Sequence, residues 1–248
     1  MCHRYTFYEL RNQLEKSGST LVVSHVSCLE VTKSAIKGLG VKQVIVLTDP
    51  DLPTPAFVGF DCPSVVTLED LISSSSSSSS SSTMIESTPS AVLSRVAPTD
   101  VALLPYSSGT TGLPKGTMLS HANLTVNLSQ LHSAENVNLS PHATVFSPLP
   151  FFHIYGLCCG ALAQAQLHNT LVTMRSFDLC RFLELCDEHR PERAHLVPPI
   201  ILGLTKHPAV DDYDLSHLQM VLSAAAPLGR EVVEALKKRT GVRCKQLW

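Results

Sequence analysis

The sequence is poor in charged and aromatic side chains, which make up 16% and 6% of its 248 residues. Its 19 basic and 21 acidic residues give a formal net charge of −2. We expect no nucleic-acid partner and no membrane-surface partner, because there is neither a basic patch nor a basic amphipathic run. Apolar residues make up 44%, which predicts a globular fold in one large domain or two small ones.

We also expect no membrane-spanning and no secretory segment. The most apolar run, at 154–165, is too short to cross a bilayer, and the first ten residues contain no apolar signal core. None of the eight cysteines forms a CxxC pair, and no histidine stands at zinc-finger spacing. We expect reduced cysteines acting as small apolar residues in an intracellular protein, with a metal site as the alternative.

Helix and strand patterns alternate along most of the chain. Residues 7–18, for example, place Phe7, Leu10 and Leu14 on one helical face and end in Gly18. Such alternation predicts an α/β fold of mainly parallel sheets flanked by helices. Strands are predicted at 20–26, 42–48, 101–106, 143–150, 170–174, 193–198, 218–223 and 242–248, and helices at 7–18, 28–40, 121–135, 152–167, 178–189, 198–207 and 229–241.

Ten consecutive serines at 73–82 have no apolar group to bury. We predict a flexible, Ser-rich surface loop over 73–98, with a phosphorylated segment as the alternative. This loop separates an αβ unit at 1–72 from a core at 99–248. The pattern ends on a strand, so we expect a chain cut at both ends.

The segment at 106–124, YSSGTTGLPKGTMLSHANL, combines hydroxyl groups, glycines and one lysine. Hydroxyls donate hydrogen bonds to an anion, glycines allow close backbone approach, and lysine adds a charge suited to phosphate. The sequence therefore predicts a polyphosphate-binding loop. Its residues are the donors Ser107, Ser108, Thr110 and Thr111, the glycines Gly109 and Gly112, and Lys115 between Pro114 and Gly116.

Three other well-known motifs for phosphate binding, dinucleotide binding and nucleophilic catalysis do not match the sequence. A Walker loop needs Gly-Lys-Ser/Thr in direct succession, whereas here a lysine lies between proline and glycine. The dinucleotide fingerprint GxGxxG and the nucleophile elbow GxSxG are both absent. A Ser/Thr loop without function is the remaining alternative.

SSGTTGLPKG resembles the phosphate motif of the adenylate-forming superfamily, which includes acyl-CoA synthetases, 4-coumarate–CoA ligases and beetle luciferases. Further resemblances follow in the family's order. They are the N-terminal segment at 5–23, the acyl-pocket motif at 148–157 (PLPFFHIYGL), a pocket-lining segment at 195–200 (HLVPPI), the adenine motif at 222–229 (LSAAAPLG) and the strand before G-x-T-E at 245–248 (KQLW). The 4-coumarate–CoA ligase-like branch is the most similar.

This resemblance implies a partial N-terminal domain of an adenylate-forming enzyme, with the C-terminal domain absent. The family joins a small carboxylate to AMP using ATP and Mg²⁺, and then transfers the acyl group to CoA. The resemblance implies catalytic roles for His153, Lys115 and Thr111, and ATP or AMP contacts for Ser107, Ser108, Gly109, Thr110, Thr111, Gly112, Lys115, Ala225, Ala226, Pro227 and Gln246. It further implies acyl contacts for His153, Tyr155 and Ala225.

The sequence departs from the family pattern in several places. Ala224 replaces a glycine of the adenine motif, and Thr117 replaces a valine. Ser176 stands where a basic CoA contact is usual, so the adjacent Arg175 is the candidate for that contact. The chain stops before the glutamate of G-x-T-E, so we expect no metal ligand within it.

Two classes of function follow. One is an ATP-dependent carboxylate–CoA ligase, cytoplasmic or peroxisomal, of which this chain is a fragment that is inactive alone. The other is a truncated isoform or pseudoenzyme that at most binds nucleotide. A medium-chain or an aromatic carboxylate is compatible with the resemblance.

Overall fold

The computed structural model of the chain describes residues 6–49, 56–76, 96–107, 114–131, 140 and 142–247. The chain divides into two units, Met1–Met118 and Leu119–Trp248. The predicted limits at residues 72 and 98 stay predictions.

The first unit is built on three parallel strands, β1 (Leu21–His25), β2 (Gln43–Leu47) and β3 (Ser64–Thr67), in the order β1-β2-β3. Two helices, α1 (Phe7–Ser17) and α2 (Leu29–Ala35), pack beside them, and a 3₁₀ turn, Val26–Cys28, leads into α2. The buried core consists of Leu10, Leu14, Val22, Leu29, Ala35, Ile36, Val41, Val44 and Val46.

Local signals set both ends of α1 and the end of α2. Thr6 and Glu9 form a reciprocal capping box at the start of α1, and Gly18 ends it in the left-handed conformation, as predicted. The helix predicted over 28–40 is shorter than expected. It stops at Ala35, and Gly38 and Gly40 then adopt φ values of 70° and 68°, a conformation that breaks a helix.

A third helix, α3 (Leu68–Ser76), follows β3 and includes the first four serines of the run. The predicted loop is therefore wrong at Ser73–Ser76. Thr67 accepts a hydrogen bond from the backbone N–H of Asp70 (2.9 Å) and so caps the first turn. Once a helix is nucleated, adding residues of moderate propensity costs little. The remaining serines lie outside the described residues.

The second unit begins with β7 (Leu119–Ser120) and α4 (His121–Leu131); strands β4 (Val101–Leu103), β5 (Tyr106–Ser107) and β6 (Lys115–Gly116) precede it in the first unit. Two side-chain to backbone hydrogen bonds cap the start of α4. The Asn123 side chain accepts a hydrogen bond from the Ser120 N–H (3.0 Å), and the Ser120 hydroxyl accepts one from the Asn123 N–H (3.2 Å).

A five-stranded parallel sheet forms the centre of this unit. Its strands are β8 (Thr144–Phe146), β9 (Thr170–Val172), β10 (Arg193–Leu196), β11 (Met220–Ser223) and β12 (Arg243–Gln246), in the order β12-β11-β10-β8-β9. All five strands are parallel, but the order in which they are added reverses at β8: β9 lies on one side of it, and β10, β11 and β12 follow on the other. In open α/β sheets, ligands bind at the carboxyl ends of the two strands flanking such a reversal.

Helices cover both faces of this sheet. The helices α6 (Leu179–His189), α7 (Pro198–Lys206) and α8 (Arg230–Thr240) bury one face, whereas a π-helix at Gly156–Leu162, continuing as α5 (Ala163–Gln166), lies on the other. Right-handed crossovers impose this split, because only the β8–β9 connection runs toward the β9 edge. The core includes Phe146, Phe182, Leu183, Cys186, Ala194, Leu196, Ile201, Leu204, Val221 and Leu236. Within the described residues, no helix is long and apolar enough to cross a membrane.

Candidate functional site

An antiparallel hairpin forms the base of the predicted polyphosphate loop. Strands β5 and β6 pair so that Ser107 lies opposite Lys115 and Tyr106 opposite Gly116. A Cβ atom at Gly116 would lie 3.0 Å from the Tyr106 ring, so glycine allows this close crossing. Both Ser107 and Lys115 are exposed. The structure therefore brings together a hydroxyl and a cation at the mouth of the loop.

The other predicted members of the loop lie outside the described residues. They stay predictions, and they are Ser108, Gly109, Thr110, Thr111 and Gly112.

In the second unit, His153 lies in the connection between β8 and the helix that follows it. Its ring is exposed, and its Nδ1 accepts a hydrogen bond from the backbone N–H of Tyr155 (3.1 Å). An accepting Nδ1 places the proton of the neutral ring on Nε2. The neutral ring thus carries a donor, Nε2–H, and His153 lies at the carboxyl edge of the sheet, where a ligand is expected.

Tyr155 is buried and links this helix to the sheet. Its hydroxyl donates a hydrogen bond to the carbonyl oxygen of Leu222 on β11 (2.8 Å), and its ring centre lies 5.9 Å from that of His195 on β10. Burial raises the pKa of the phenol far above its ordinary value, with Cys159 and Cys244 contributing. Tyr155 is therefore a neutral wall residue at the reversal point of the sheet.

A cleft of about 470 Å³ opens beside this tyrosine. Its lining is mostly apolar and includes two asparagines of α4. Burial raises the pKa of the Cys159 thiol to about 11, with Cys158 contributing, so the lining thiol is uncharged at neutral pH. The lining residues are Leu119, Asn123, Leu124, Asn127, Ile154, Tyr155, Cys158 and Cys159.

The wall of this cleft is a π-helix, which the sequence prediction of a helix at 152–167 did not anticipate. Gly160 faces the buried Ser147 at the end of β8, and a Cβ atom there would lie 2.5 Å from the serine hydroxyl oxygen. Gly156 similarly faces the Pro150 carbonyl. The two glycines allow the helix to approach the chain that leaves β8, and π-helices are frequent at functional sites.

The predicted adenine-contacting residues form a loop directly after β11. Ala225, Ala226 and Pro227 are all exposed, at the same edge of the sheet as His153. Ala225 adopts a φ of 74°, a left-handed conformation that costs a non-glycine residue about 1–2 kcal/mol. Non-glycine residues in this conformation are concentrated at ligand-binding sites.

The side chain of Gln246, a predicted ATP or AMP contact, is bonded to the backbone of the loop that follows β11. Its side-chain amide makes two hydrogen bonds to the backbone of Leu228: Oε1 accepts from the N–H (3.0 Å) and Nε2 donates to the carbonyl oxygen (3.0 Å). The amide therefore contacts the loop that carries Ala225–Pro227. These bonds use one of the two N–H groups on Nε2 and one of the two lone pairs on Oε1, so the predicted nucleotide contact stays a prediction.

His195 is a buried residue whose chemistry the sequence analysis missed, although it begins the HLVPPI segment. It is 3% exposed, and neither ring nitrogen has a hydrogen-bond partner among the described residues. Burial, with the neighbouring charge of Arg193, lowers its pKa to about 3. The only signal in the sequence was a histidine in a predicted strand, directly followed by Leu196 and Val197.

Arg175, the candidate CoA contact, lies on an exposed bend after β9, next to the exposed Ser176. Its contact with CoA stays a prediction. The described part of the chain also contains no group of three or more His, Cys, Asp or Glu side chains suited to a metal ion.

Comparison with known proteins places these features in a family. A family model described as AMP-binding enzyme matches residues 2–248. The 4-coumarate–CoA ligase 3 of Arabidopsis thaliana is 35% identical over 237 residues, covering 95% of this chain and 38% of that protein. The 4-coumarate–CoA ligase 1 of Solanum tuberosum is 44% identical over 147 residues, covering 58% of this chain and 27% of its own. The chain thus spans less than two fifths of either relative.

Among solved structures, a natural red-emitting luciferase from Phrixothrix hirtus superimposes with a TM-score of 0.77 at 27% identity. The match covers 97% of this chain and 43% of the luciferase chain. The predicted α/β fold, with mainly parallel sheets flanked by helices, is confirmed.

Proposed function

Because this chain belongs to the AMP-binding enzyme family, we propose that it forms part of an ATP-dependent carboxylate–CoA ligase. In the first step a carboxylate attacks the α-phosphate of ATP, giving an acyl-adenylate and pyrophosphate. In the second step the CoA thiol displaces AMP and forms a thioester. Both steps depend on positioning and on stabilising charge rather than on a protein nucleophile.

One observation carries this proposal. At the reversal point of the parallel sheet, the exposed His153 adjoins Ile154 and Tyr155, which line a cleft of about 470 Å³. The exposed Ala225–Pro227 loop lies at the same edge. A site for a small organic acid and one for a nucleotide would meet at this edge.

Each group has a chemical role in the proposed reaction. The Nε2–H of His153 would donate to an oxygen of the reacting carboxylate or of the α-phosphate, where negative charge develops. Ser107 and Lys115 would hold the β- and γ-phosphates, with Mg²⁺ bound mainly through the phosphates of ATP. The small side chains of Ala225 and Ala226 would let the flat adenine ring approach the backbone.

An aromatic carboxylate is the proposed acid. The cleft is mostly apolar and has a volume in the range of small-molecule sites. Asn127 and the Nδ2 group of Asn123, whose Oδ1 caps α4, offer hydrogen-bonding groups to a ring substituent, which a fatty acid lacks. The two curated relatives are named for 4-coumarate, which is the first acid to test.

The test uses the purified 248-residue chain and compares 4-coumarate with octanoate in two assays, thermal unfolding with AMP and CoA consumption with ATP, Mg²⁺ and CoA. In the first assay we expect 4-coumarate to raise the unfolding temperature more than octanoate does. We expect His153→Ala to reduce that increase. His121→Ala, at an exposed position on α4, is the control. Carboxylate-dependent consumption of CoA would identify a ligase directly. Nucleotide binding with no response to any carboxylate would contradict the proposal and favour a nucleotide-binding role.

A further inference from the structure

One residue, Gln246, holds both ends of the loop that follows β11. Its backbone is paired in the sheet opposite Ser223, where the chain leaves β11. Its side-chain amide holds Leu228, where the chain returns toward α8. The four residues between these two points are Ala224, Ala225, Ala226 and Pro227.

The amide of Gln246 provides both the acceptor and the donor that the backbone N–H and carbonyl of Leu228 require. Leu228 is 7% exposed, and its N–H and carbonyl groups point at the glutamine amide, both at 3.0 Å. Buried backbone groups left without partners cost about 1–3 kcal/mol each. A side chain satisfies both groups only when it carries a donor and an acceptor side by side. Leucine has neither, and an ionised glutamate has no donor.

The loop between these anchors has a conformation that needs support. Ala225 holds a φ of 74° and its side chain is exposed, so packing around that side chain contributes little to holding it. A left-handed alanine persists only when its surroundings impose it. The anchors at Ser223 and Leu228 supply that constraint, together with the buried Leu228 side chain.

We propose that Gln246 is a positioning residue that shapes the Ala224–Pro227 loop for the nucleotide through its two hydrogen bonds to Leu228. This rests on the proposed function, which makes that loop the adenine site. The role differs from a direct nucleotide contact, because it depends only on the two hydrogen bonds that the amide makes to Leu228.

The first test compares Gln246→Leu with Gln219→Leu in the 248-residue chain, using adenosine as the probe. Gln219 is an exposed glutamine just before β11, at the opposite end of the strand, with one surface hydrogen bond to Glu192. We expect Gln246→Leu to weaken adenosine binding about tenfold, the equivalent of one net hydrogen bond. Hydrogen exchange at the Leu228 amide should also accelerate. The control should change neither quantity.

The second test uses Gln246→Glu and varies the pH. An ionised glutamate accepts from the Leu228 N–H but repels the Leu228 carbonyl, whereas the protonated acid donates to that carbonyl. The adenosine affinity of this variant, divided by that of the unchanged chain at each pH, should therefore rise between about pH 7 and pH 4.5. A side chain needed only for folding would not show this recovery.

The outcomes separate the two proposals. Unchanged adenosine affinity and unchanged Leu228 exchange in Gln246→Leu would overturn the role of Gln246. An affinity ratio for Gln246→Glu that does not vary with pH would also overturn it, including when Gln246→Leu fails to fold. If the unchanged chain does not bind adenosine but Leu228 exchange still accelerates in Gln246→Leu, the anchoring of the loop stands and the proposed nucleotide function is wrong.

Discussion

His195 shows how a single residue can set the acid stability of its unit. In the folded chain the pKa of His195 is lowered to about 3 by burial and then by Arg193, against an ordinary value of 6.5. Below about pH 6.5 the unfolded chain binds a proton that the folded chain does not. By linkage, this site makes stability fall as the pH decreases from 6.5 toward 3.

We therefore expect His195→Leu to flatten the acid side of the stability curve. The lost slope should approach 1.4 kcal/mol per pH unit below about pH 6, and urea denaturation at a series of pH values measures it. His121→Leu serves as the control, because it makes the same substitution at an exposed histidine. An unchanged slope in His195→Leu would mean that the ring is already protonated, or hydrated, in the folded chain.

Ala225 offers a second prediction at the scale of one residue. Glycine adopts a φ of 74° without strain. Ala225→Gly therefore removes about 1–2 kcal/mol of strain from the folded chain. It also gives the unfolded chain more conformational entropy, which lowers the stability by about 0.4–1 kcal/mol. We expect a net stabilisation of about 0.5–1 kcal/mol by chemical denaturation. Ala226→Gly is the matched control: its φ is not positive, so it should destabilise. Effects of the same sign at both positions would contradict the strain assigned to Ala225.

At the scale of elements, the close contact between the π-helix and the end of β8 requires glycine at position 160, which has no Cβ atom. Gly160→Ala would place a methyl group 2.5 Å from the Ser147 hydroxyl oxygen, inside a fully buried contact. Overpacking of this kind costs about 1–3 kcal/mol. The double variant Ser147→Ala/Gly160→Ala should recover part of that loss, because the serine oxygen is the nearest atom.

A glycine in another helix provides the control. A Cβ atom at Gly203 on α7 would meet Leu179 at 3.6 Å, an ordinary contact. Gly203→Ala should therefore be neutral or stabilising by up to about 1 kcal/mol, through helix propensity alone. Equal effects at Gly160 and Gly203 in thermal unfolding would refute the packing explanation.

The sequence patterns predicted most elements of the structure, but several of their ends and one helix type were wrong. Capping residues such as Thr6 and Ser120 mark helix starts locally, so those starts were predictable. The π-helical turns at Gly156–Leu162 were not, because apolar spacing in so short a segment does not separate a π-helix from an α-helix. The strand β3 was missed because its four residues are too few for a clear period.

At the scale of the whole molecule, the proposed division of labour in ATP binding can be tested with two nucleotides. Lys115 would contact the β- and γ-phosphates, which AMP lacks. Lys115→Met should therefore weaken ATP binding about tenfold and leave AMP binding unchanged, as measured by calorimetry. Lys42→Met, at another exposed lysine of the same unit, is the control. Equal loss of ATP and AMP binding would contradict the role given to Lys115.

What the sequence determined by itself was the family, the fold class and the position of each motif along the chain. The long motifs around Lys115, His153 and Ala225 carried that resemblance, and the family is confirmed. These features depend on residues close together in the chain, so they can be identified from the sequence without knowledge of the tertiary structure.

Only the tertiary structure decided which groups are engaged with one another. The amide of Gln246 meets Leu228, the hydroxyl of Tyr155 meets the carbonyl of Leu222, and His195 is sealed from water. The first two contacts join residues 18 and 67 positions apart. No local pattern encodes such a contact, because it arises from strand order and from the packing of helices across the sheet.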